Sequence, residues 1–562
     1  MIRRSLGAVA LALATATAVH PQPTFVEVTP LSDPYFVTPA SDDFWTNAVA
    51  PADVDGDGDL DLAVIGFYVV YNQSVEDRLA LLLNQGQGGD GRWSFQDVAV
   101  PLGALFAGAS DLAWGDYDRD GRVDLAVGSE GATVIYHNAG GTFAALPNSL
   151  PGYSEDSTYS GAYDLRSLTW ADADNDGDPD LLVPSVYDPD TFSYATKLMR
   201  NDGPDGAGGW LFADAGAALD GTAHAQSAWA DDDGDGDLDL LLVNVDPYLD
   251  GGFIRRYGNA GGVFTGQDLV GVKVEYGLAD WSDYDADGDL DLLVVGNIQE
   301  VDQTFATVLR LYRNDAGTYV AQDLLQPPSA DWLDLHAATW ADYDSDGDVD
   351  ILVTGNHVTG GEIVGKSEIY ANVGGTFTPL GLDLPAPESS SGRGGAVTWL
   401  DLDGDGDLDY LVSGSYYTPG GNGLVEAQTH LYRNDAVAAN LPPTAPAALV
   451  ATTGIGSAAL SWSSASDDHT AGAALTYELE VRRGGGPLLG AARLPEPGNL
   501  SAVSSWSLAG LAPGFYTWSV RAVDSAFTSG PRSQGGFSIP GGLIFFDAFE
   551  SGSTSAWSST AF

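Results

Sequence analysis

Five aspartates and two glycines stand among the ten residues DVDGDGDLDL, from Asp53 to Leu62. Alternating carboxylates on a sharp turn are a way of surrounding a hard cation, and calcium takes six to eight oxygen ligands at roughly 2.3–2.6 Å. Asp53, Asp55 and Asp57 turn toward one centre, and Gly58 permits the tight backbone turn. Asp59 offers its carbonyl oxygen, and Asp61 closes the shell from the start of the next strand. An EF-hand begins in the same way but requires a bidentate Glu at its twelfth position, where this chain has Val64 inside an apolar run. Magnesium fits less well, because it keeps several waters in preference to an all-protein cage.

The pattern Asp-x-Asp-x-Asp-Gly-x-x-Asp occurs seven times, at intervals of 52 to 63 residues. The second and third copies offer Asp116, Asp118, Asp120, Arg122 and Asp124, then Asp172, Asp174, Asp176, Asp178 and Asp180. The fourth and fifth offer Asp231, Asp233, Asp235, Asp237 and Asp239, then Asp283, Asp285, Asp287, Asp289 and Asp291. The sixth and seventh offer Asp342, Asp344, Asp346, Asp348 and Asp350, then Asp401, Asp403, Asp405, Asp407 and Asp409. Arg122 stands where the other copies have Asp, which fits a position used through its backbone carbonyl. A single acidic turn is commonplace, but seven with one spacing predict about seven calcium ions, one per repeat. Catalytic pairing of the carboxylates is disfavoured, since an acid and a base need two distinct environments.

The elements that must hold these loops repeat with them. A Trp precedes the first Asp by two residues in six copies, and an apolar β-type run such as DLLVVG or DILVTG follows the last Asp. Next come a variable loop, a strand ending in Asn (VIYHN, RLYRN, HLYRN) and a GGTF or GTY segment. Short runs of β-branched and aromatic residues between turn signals give an all-β reading. Four strands per unit and seven units predict a seven-bladed β-propeller over residues 23–440. The seventh unit lacks its last strand, and residues 23–31 (PTFVEVTPL) resemble that missing piece, so the N-terminal strand is expected to close the last blade. Residues 441–540 change punctuation and read as a small β-sandwich with Trp462 and Tyr477 in its core and Tyr516 as a tyrosine corner. Residues 541–562 form a short Ser-rich tail.

The 562 residues carry 79 acidic and 22 basic side chains, a formal charge of −57, which excludes a nucleic-acid partner for want of a basic surface. Residues 1–19, with Arg3 and Arg4 before an apolar run, read as a signal peptide, and no stretch of the mature chain is long enough to span a membrane. The chain has no cysteine, so an exported protein without disulfides needs another staple, which calcium is expected to supply. The expected location is outside a bacterial cell or on its surface, as a monomer.

On these loops the chain resembles the FG-GAP and VCBS repeat proteins, whose blades include the propeller head of integrin α subunits. The resemblance spans roughly residues 24–440; residues 443–539 resemble a fibronectin type III module. The Phe-Gly and Gly-Ala-Pro signatures of integrins are absent, so integrin-like ligand binding does not carry over. What the resemblance implies is calcium-stabilised extracellular adhesion or carbohydrate association, with some relatives forming parts of polysaccharide-degrading enzymes.

Up-and-down connectivity puts the calcium loops at one end of the blades and the longer, variable loops at the other. That second end is rich in aromatics, among them Phe67, Tyr68, Tyr187, Phe192, Tyr416 and Tyr417, and Arg166, His224, Tyr276, His336 and Arg393 lie near it on the innermost strands. Rings with a few polar groups suit a glycan or protein ligand. No nucleophile elbow, His-Glu-x-x-His helix or phosphate loop is present. The expectation is an extracellular binding or adhesion module with no catalytic residues; a lyase or hydrolase propeller is the alternative.

Overall fold

The computed structural model describes residues 25–540, apart from 31–41, 71–74, 99, 101–110, 130, 153–166, 189–192, 207–208, 223–224, 245–251, 270–272, 300–304, 325–331, 360–361, 383, 386–396, 418–424, 436–439, 473, 484–487, 490–503 and 509–510. Among the described residues there is no helix, and so none long and apolar enough to cross a membrane.

Seven antiparallel sheets follow one another along the chain, and in six of them strand order in space is strand order in sequence for the first three strands. The fifth sheet shows the plan: Lys273–Ser282, Asp291–Gln299, Phe305–Asn314 and Tyr319–Asp323. Each acidic loop joins the first strand to the second, and the second strand always begins on the last Asp of the motif, as at Asp61, Asp124 and Asp180. The seventh sheet draws on both ends of this region. Val397–Leu400, Asp409–Tyr417 and Val425–Asn434 are joined by Phe25–Glu27, with Phe25 opposite Asn434 and Glu27 opposite Tyr432.

Period-two alternation in the second strands explains how the sheets stack, because successive side chains leave opposite faces. In Asp61–Val70, Ala63 and Ile65 pack with Leu125 and Val127 of the second sheet. Leu62 and Val64, from the other face, pack with Leu400, Leu411 and Leu431 of the seventh. Equivalent apolar layers join each sheet to the next through the remaining pairs. The repeated Trp sits in these layers. Trp114 Nε1 donates to the Ala50 carbonyl oxygen of the preceding sheet at 3.0 Å, and Trp229 Nε1 to Thr169 Oγ1 at 3.0 Å.

The C-terminal region forms two facing sheets. One contains Ala447–Gly454, Ser457–Ser463 and Ser505–Leu508; the other contains Thr476–Arg483, Gly514–Val523 and Ser533–Ile539, edged by Leu488–Leu489. Trp462, Tyr477 and Trp518 are buried between them, and the Tyr516 hydroxyl donates to the Ala512 carbonyl oxygen at 2.9 Å. This pair of sheets rests on the acidic-loop end of the sixth repeat. Ser525 Oγ donates to Asp342 Oδ2 at 2.9 Å and Asp342 N–H to the Ser525 carbonyl oxygen at 3.1 Å. The His469 carbonyl oxygen lies so close to Gly347 that a Cβ there would stand 2.0 Å away. Between this cap and the innermost strands lies a cavity of about 780 Å³, whose lining includes Trp170, Trp229, Asp280, Trp281 and Trp506.

Candidate metal centres

The seven loops share a backbone that the motif only partly announces. The sixth position is Gly in every copy, with φ between 90° and 102°, a conformation only glycine adopts without strain. The fourth position is also left-handed in every copy. There the residues are Gly56, Arg119, Asn175, Gly234, Ala286, Ser345 and Gly404, with φ from 55° to 79°.

Two aspartates fasten each loop. The first accepts backbone N–H groups from the far side of the turn: Asp116 from Asp120 and Gly121, both at 2.9 Å, and Asp283 from Asp287 and Gly288, both at 3.0 Å. The ninth is buried, and one of its oxygens accepts the backbone N–H of the Asn at or near the end of the third strand. This bond, 2.7–2.8 Å long, recurs in all seven repeats, as in Asn84 to Asp61, Asn259 to Asp239 and Asn434 to Asp409. In the fourth, fifth and sixth repeats the seventh position turns its side chain away from the loop, whereas Asp407 faces Asp405 of its own loop. Asp237, Asp289 and Asp348 accept N–H groups from the turn after that Asn, at Gly261, Ala316 and Gly374. In those three repeats the backbone of this position remains for a cation, and Arg122 in the second repeat donates its Nε to the Asn138 carbonyl oxygen.

The Asn residues carry a function that sequence spacing left unassigned. Asn138 Nδ2 bonds the Val123 carbonyl oxygen of its own loop at 3.0 Å and the Val54 carbonyl oxygen of the preceding loop at 2.9 Å. Asn201, Asn259, Asn372 and Asn434 reach back in the same way to Tyr117, Ala173, Tyr284 and Tyr343. Asn84, in the first repeat, reaches Leu402 in the last. The acidic loops are therefore laced to one another at one end of the sheets.

Within the loops the remaining carboxylates converge. Asp53, Asp55 and Asp57 bring one oxygen each within 4.8 Å of the others, as do Asp116, Asp118 and Asp124, and Asp172, Asp174 and Asp176. Burial, reinforced by neighbouring aspartates of the same loop, pushes Asp116 up to about 7, Asp180 and Asp291 to about 8, and Asp124 and Asp409 to about 9. Asp172 and Asp350 are raised well above the usual carboxylate range for the same reasons. Such a cluster demands positive charge, supplied either by protons or by a cation. Some oxygens also lack any hydrogen-bond donor although they are buried: Asp124 Oδ2, Asp172 Oδ1 and Asp285 Oδ1. An all-oxygen, carboxylate-rich donor set with unpartnered buried oxygens fits a hard divalent cation.

At the other end of the sheets, Arg166, His224 and Arg393 lie outside the described residues, as do Tyr71 and Phe192. Tyr276 and His336 fall in the strands Lys273–Ser282 and Trp332–Ala341, with side chains outside those described, and so do the side chains of Phe67, Tyr68, Tyr187, Tyr416 and Tyr417.

Comparison with known proteins begins from this repeat. The model of the FG-GAP-like repeat matches residues 116–183 and 283–353. FG-GAP-like repeats thus occupy two stretches of the chain. Together they contain four of the seven acidic loops, the second, third, fifth and sixth. No curated protein matches the sequence. Among solved structures, an Agrocybe aegerita lectin that recognises non-reducing terminal N-acetylglucosamine aligns at 18% identity over 70% of this chain and 92% of its own, with a TM-score of 0.39. The extracellular domain of a putative hybrid two-component system from B. thetaiotaomicron aligns at 9% identity over 92% of this chain and 59% of its own, with a TM-score of 0.37. The Bacillus licheniformis rhamnogalacturonan lyase aligns at 12% identity over 74% and 76%, with a TM-score of 0.38.

Proposed function

We propose that the chain is a secreted, calcium-loaded seven-bladed β-propeller, carrying a fibronectin type III-like module, that serves outside the cell as a binding or adhesion module for a carbohydrate or protein ligand. Calcium is held in each repeat by the first, third, fifth and ninth aspartates and the seventh carbonyl oxygen. Its charge replaces the protons that the buried carboxylates otherwise demand. Extracellular modules hold calcium at ~10⁻⁴–10⁻³ M, so the ion acts as a structural staple in a chain without cysteine. The N-terminal strand closes the ring by completing the seventh blade.

The observation that carries the reading is the Ser525–Asp342 contact. The C-terminal sheets rest on the acidic-loop end, which supports the opposite end as the ligand face, where the sequence pattern is expected to bring Arg166, His224, Tyr276, His336 and Arg393. Calcium then stiffens the scaffold and does not touch what is bound. Glycan-array and immobilised-protein binding, each with calcium and with chelator, test this. Retention of a defined glycan or protein without turnover, lost when Tyr276 or His336 is replaced by Ala, is expected. Cleavage of a polysaccharide, or retention unaffected by both substitutions, would overturn it.

A further inference from the structure

The second loop differs from its six companions in charge and in what faces it. Its sequence DYDRDGRVD has four aspartates and two arginines, for a formal charge of −2, whereas the first loop, DVDGDGDLD, has five aspartates and no arginine, for −5. Arg122 pairs with Asp120 in its own loop, and Arg119 with Asp178 in the third loop. A calcium site depends on negative charge and many oxygens, so this loop is the poorest of the seven for that ion.

What it loses in charge it gains in a nitrogen donor. The residue before the repeated Asn is Leu83, Arg200, Gly258, Arg313, Ala371 or Arg433 in the other sheets, and in the second it is His137. His137 Nδ1 lies 3.3 Å from Asp118 Oδ2 and 3.3 Å from Asp124 Oδ1. That nitrogen is buried and makes no hydrogen bond. The imidazole is held edge-on against the Tyr117 ring, with 6.2 Å between centroids. Asp124 is wholly buried, and its Oδ2 has no partner. Asp118, Asp120 and His137 also bring their donor atoms within 4.8 Å of one another.

We propose that the second loop is a site for a borderline divalent cation of the zinc class, bound by His137 together with Asp118, Asp124 and Asp116. Zinc takes imidazole nitrogen and carboxylate oxygen at roughly 2.0–2.2 Å in a tetrahedron, whose edge is then ~3.3 Å. The separations between Nδ1 and the two carboxylate oxygens have that length before any ion is placed. Imidazole suits zinc, copper and nickel, whereas calcium takes oxygen. The inference rests on reading the repeats as metal loops, but not on calcium being the ion in the other six.

Zinc chloride titrated into the full chain in saturating calcium, followed by calorimetry and by metal analysis after dialysis, tests the assignment. One zinc per chain is expected, without displacement of calcium from the other loops. His137→Leu restores the side-chain type that stands at Leu83 in the first sheet, and should weaken that zinc roughly 10–100-fold while leaving the remaining calcium count unchanged. His469→Ala, in the separate group Asp467, Asp468 and His469, should retain it. Cobalt in place of zinc should give a visible absorption band that disappears in His137→Leu. No zinc retained in the presence of calcium, or equal zinc binding by His137→Leu, would overturn the proposal. Zinc bound through His137 in a chain that binds no calcium would sink the calcium reading alone.

Discussion

Asn84 Nδ2 donates to the carbonyl oxygen of Leu402, 318 residues further along the chain, at 3.3 Å. The same side chain bonds the Leu60 carbonyl oxygen of its own loop at 3.2 Å, and its Oδ1 accepts from Gly86 N–H and Trp93 Nε1. One amide thus joins a loop, the following turn and the loop of a distant repeat.

This makes the repeated Asn a cornerstone of stability. Asn259 Nδ2 bonds the carbonyl oxygens of Ala173 and Leu238 in the interior. Asn259→Ala would leave both acceptors without a donor, at about 1–3 kcal/mol for each buried group. A fall in unfolding free energy of about 2–4 kcal/mol is expected, read as a lower urea midpoint with an unchanged slope.

The left-handed fourth position predicts a stabilising change. Ala286 has φ of 56°, where a Cβ costs roughly 1–2 kcal/mol, and the equivalent residues Gly56, Gly234 and Gly404 avoid that cost. Ala286→Gly should raise stability by about 0.5–1 kcal/mol, offset in part by the greater entropy of glycine in the unfolded chain. Calorimetric melting in calcium checks it.

Asp280 supplies a pH dependence separable from the loops. It lines the internal cavity and is half-buried there, with protein on its other sides. Burial pushes its carboxyl up to about 6. A raised carboxyl makes the folded state take up a proton that the unfolded state does not hold. Its destabilising charge is therefore fully present above about 6, and stability is recovered as pH falls from there toward about 4. In saturating calcium, Asp280→Asn should stabilise the protein at pH 8 by roughly 2–3 kcal/mol and give no gain near pH 4. Urea midpoints of both proteins across that range measure the difference.

Docking of the C-terminal sheets predicts a fourth outcome. In saturating calcium, where Asp342 is ionised as a proposed ligand, Ser525→Asp would face its carboxylate with a second negative charge. Faster proteolysis within residues 436–443 and a larger radius of gyration by X-ray scattering are expected. Unchanged digestion and scattering would show that this contact does not hold the cap.

Much of the loop was legible in sequence because its carboxylates are local: Asp116, Asp118 and Asp124 converge within nine residues. The all-β character was legible for the same reason, since alternation in runs such as DLLVVG is a local signal. The Asn bonds were not, because Asn138 and Val54 are separated by a whole repeat. The left-handed fourth position was hidden where Arg119, Ala286 and Ser345 replace glycine, since nothing in those residue types announces a positive φ, whereas that of Asn175 does. His137 falls within the run VIYHN, where nothing local links it to the acidic loop, and only the fold sets it against Asp118 and Asp124.

Calcium in the seven acidic loops is proposed to hold the fold. Each loop at ten times its dissociation constant contributes ~1.4 kcal/mol. The direct measurement is calcium content by equilibrium dialysis, paired with thermal melting in calcium and in excess chelator. With calcium the sole divalent ion, close to seven calcium ions per chain are expected at saturation, with a large fall in melting temperature on chelation. Calcium-free protein with the same melting curve as the saturated protein would contradict it.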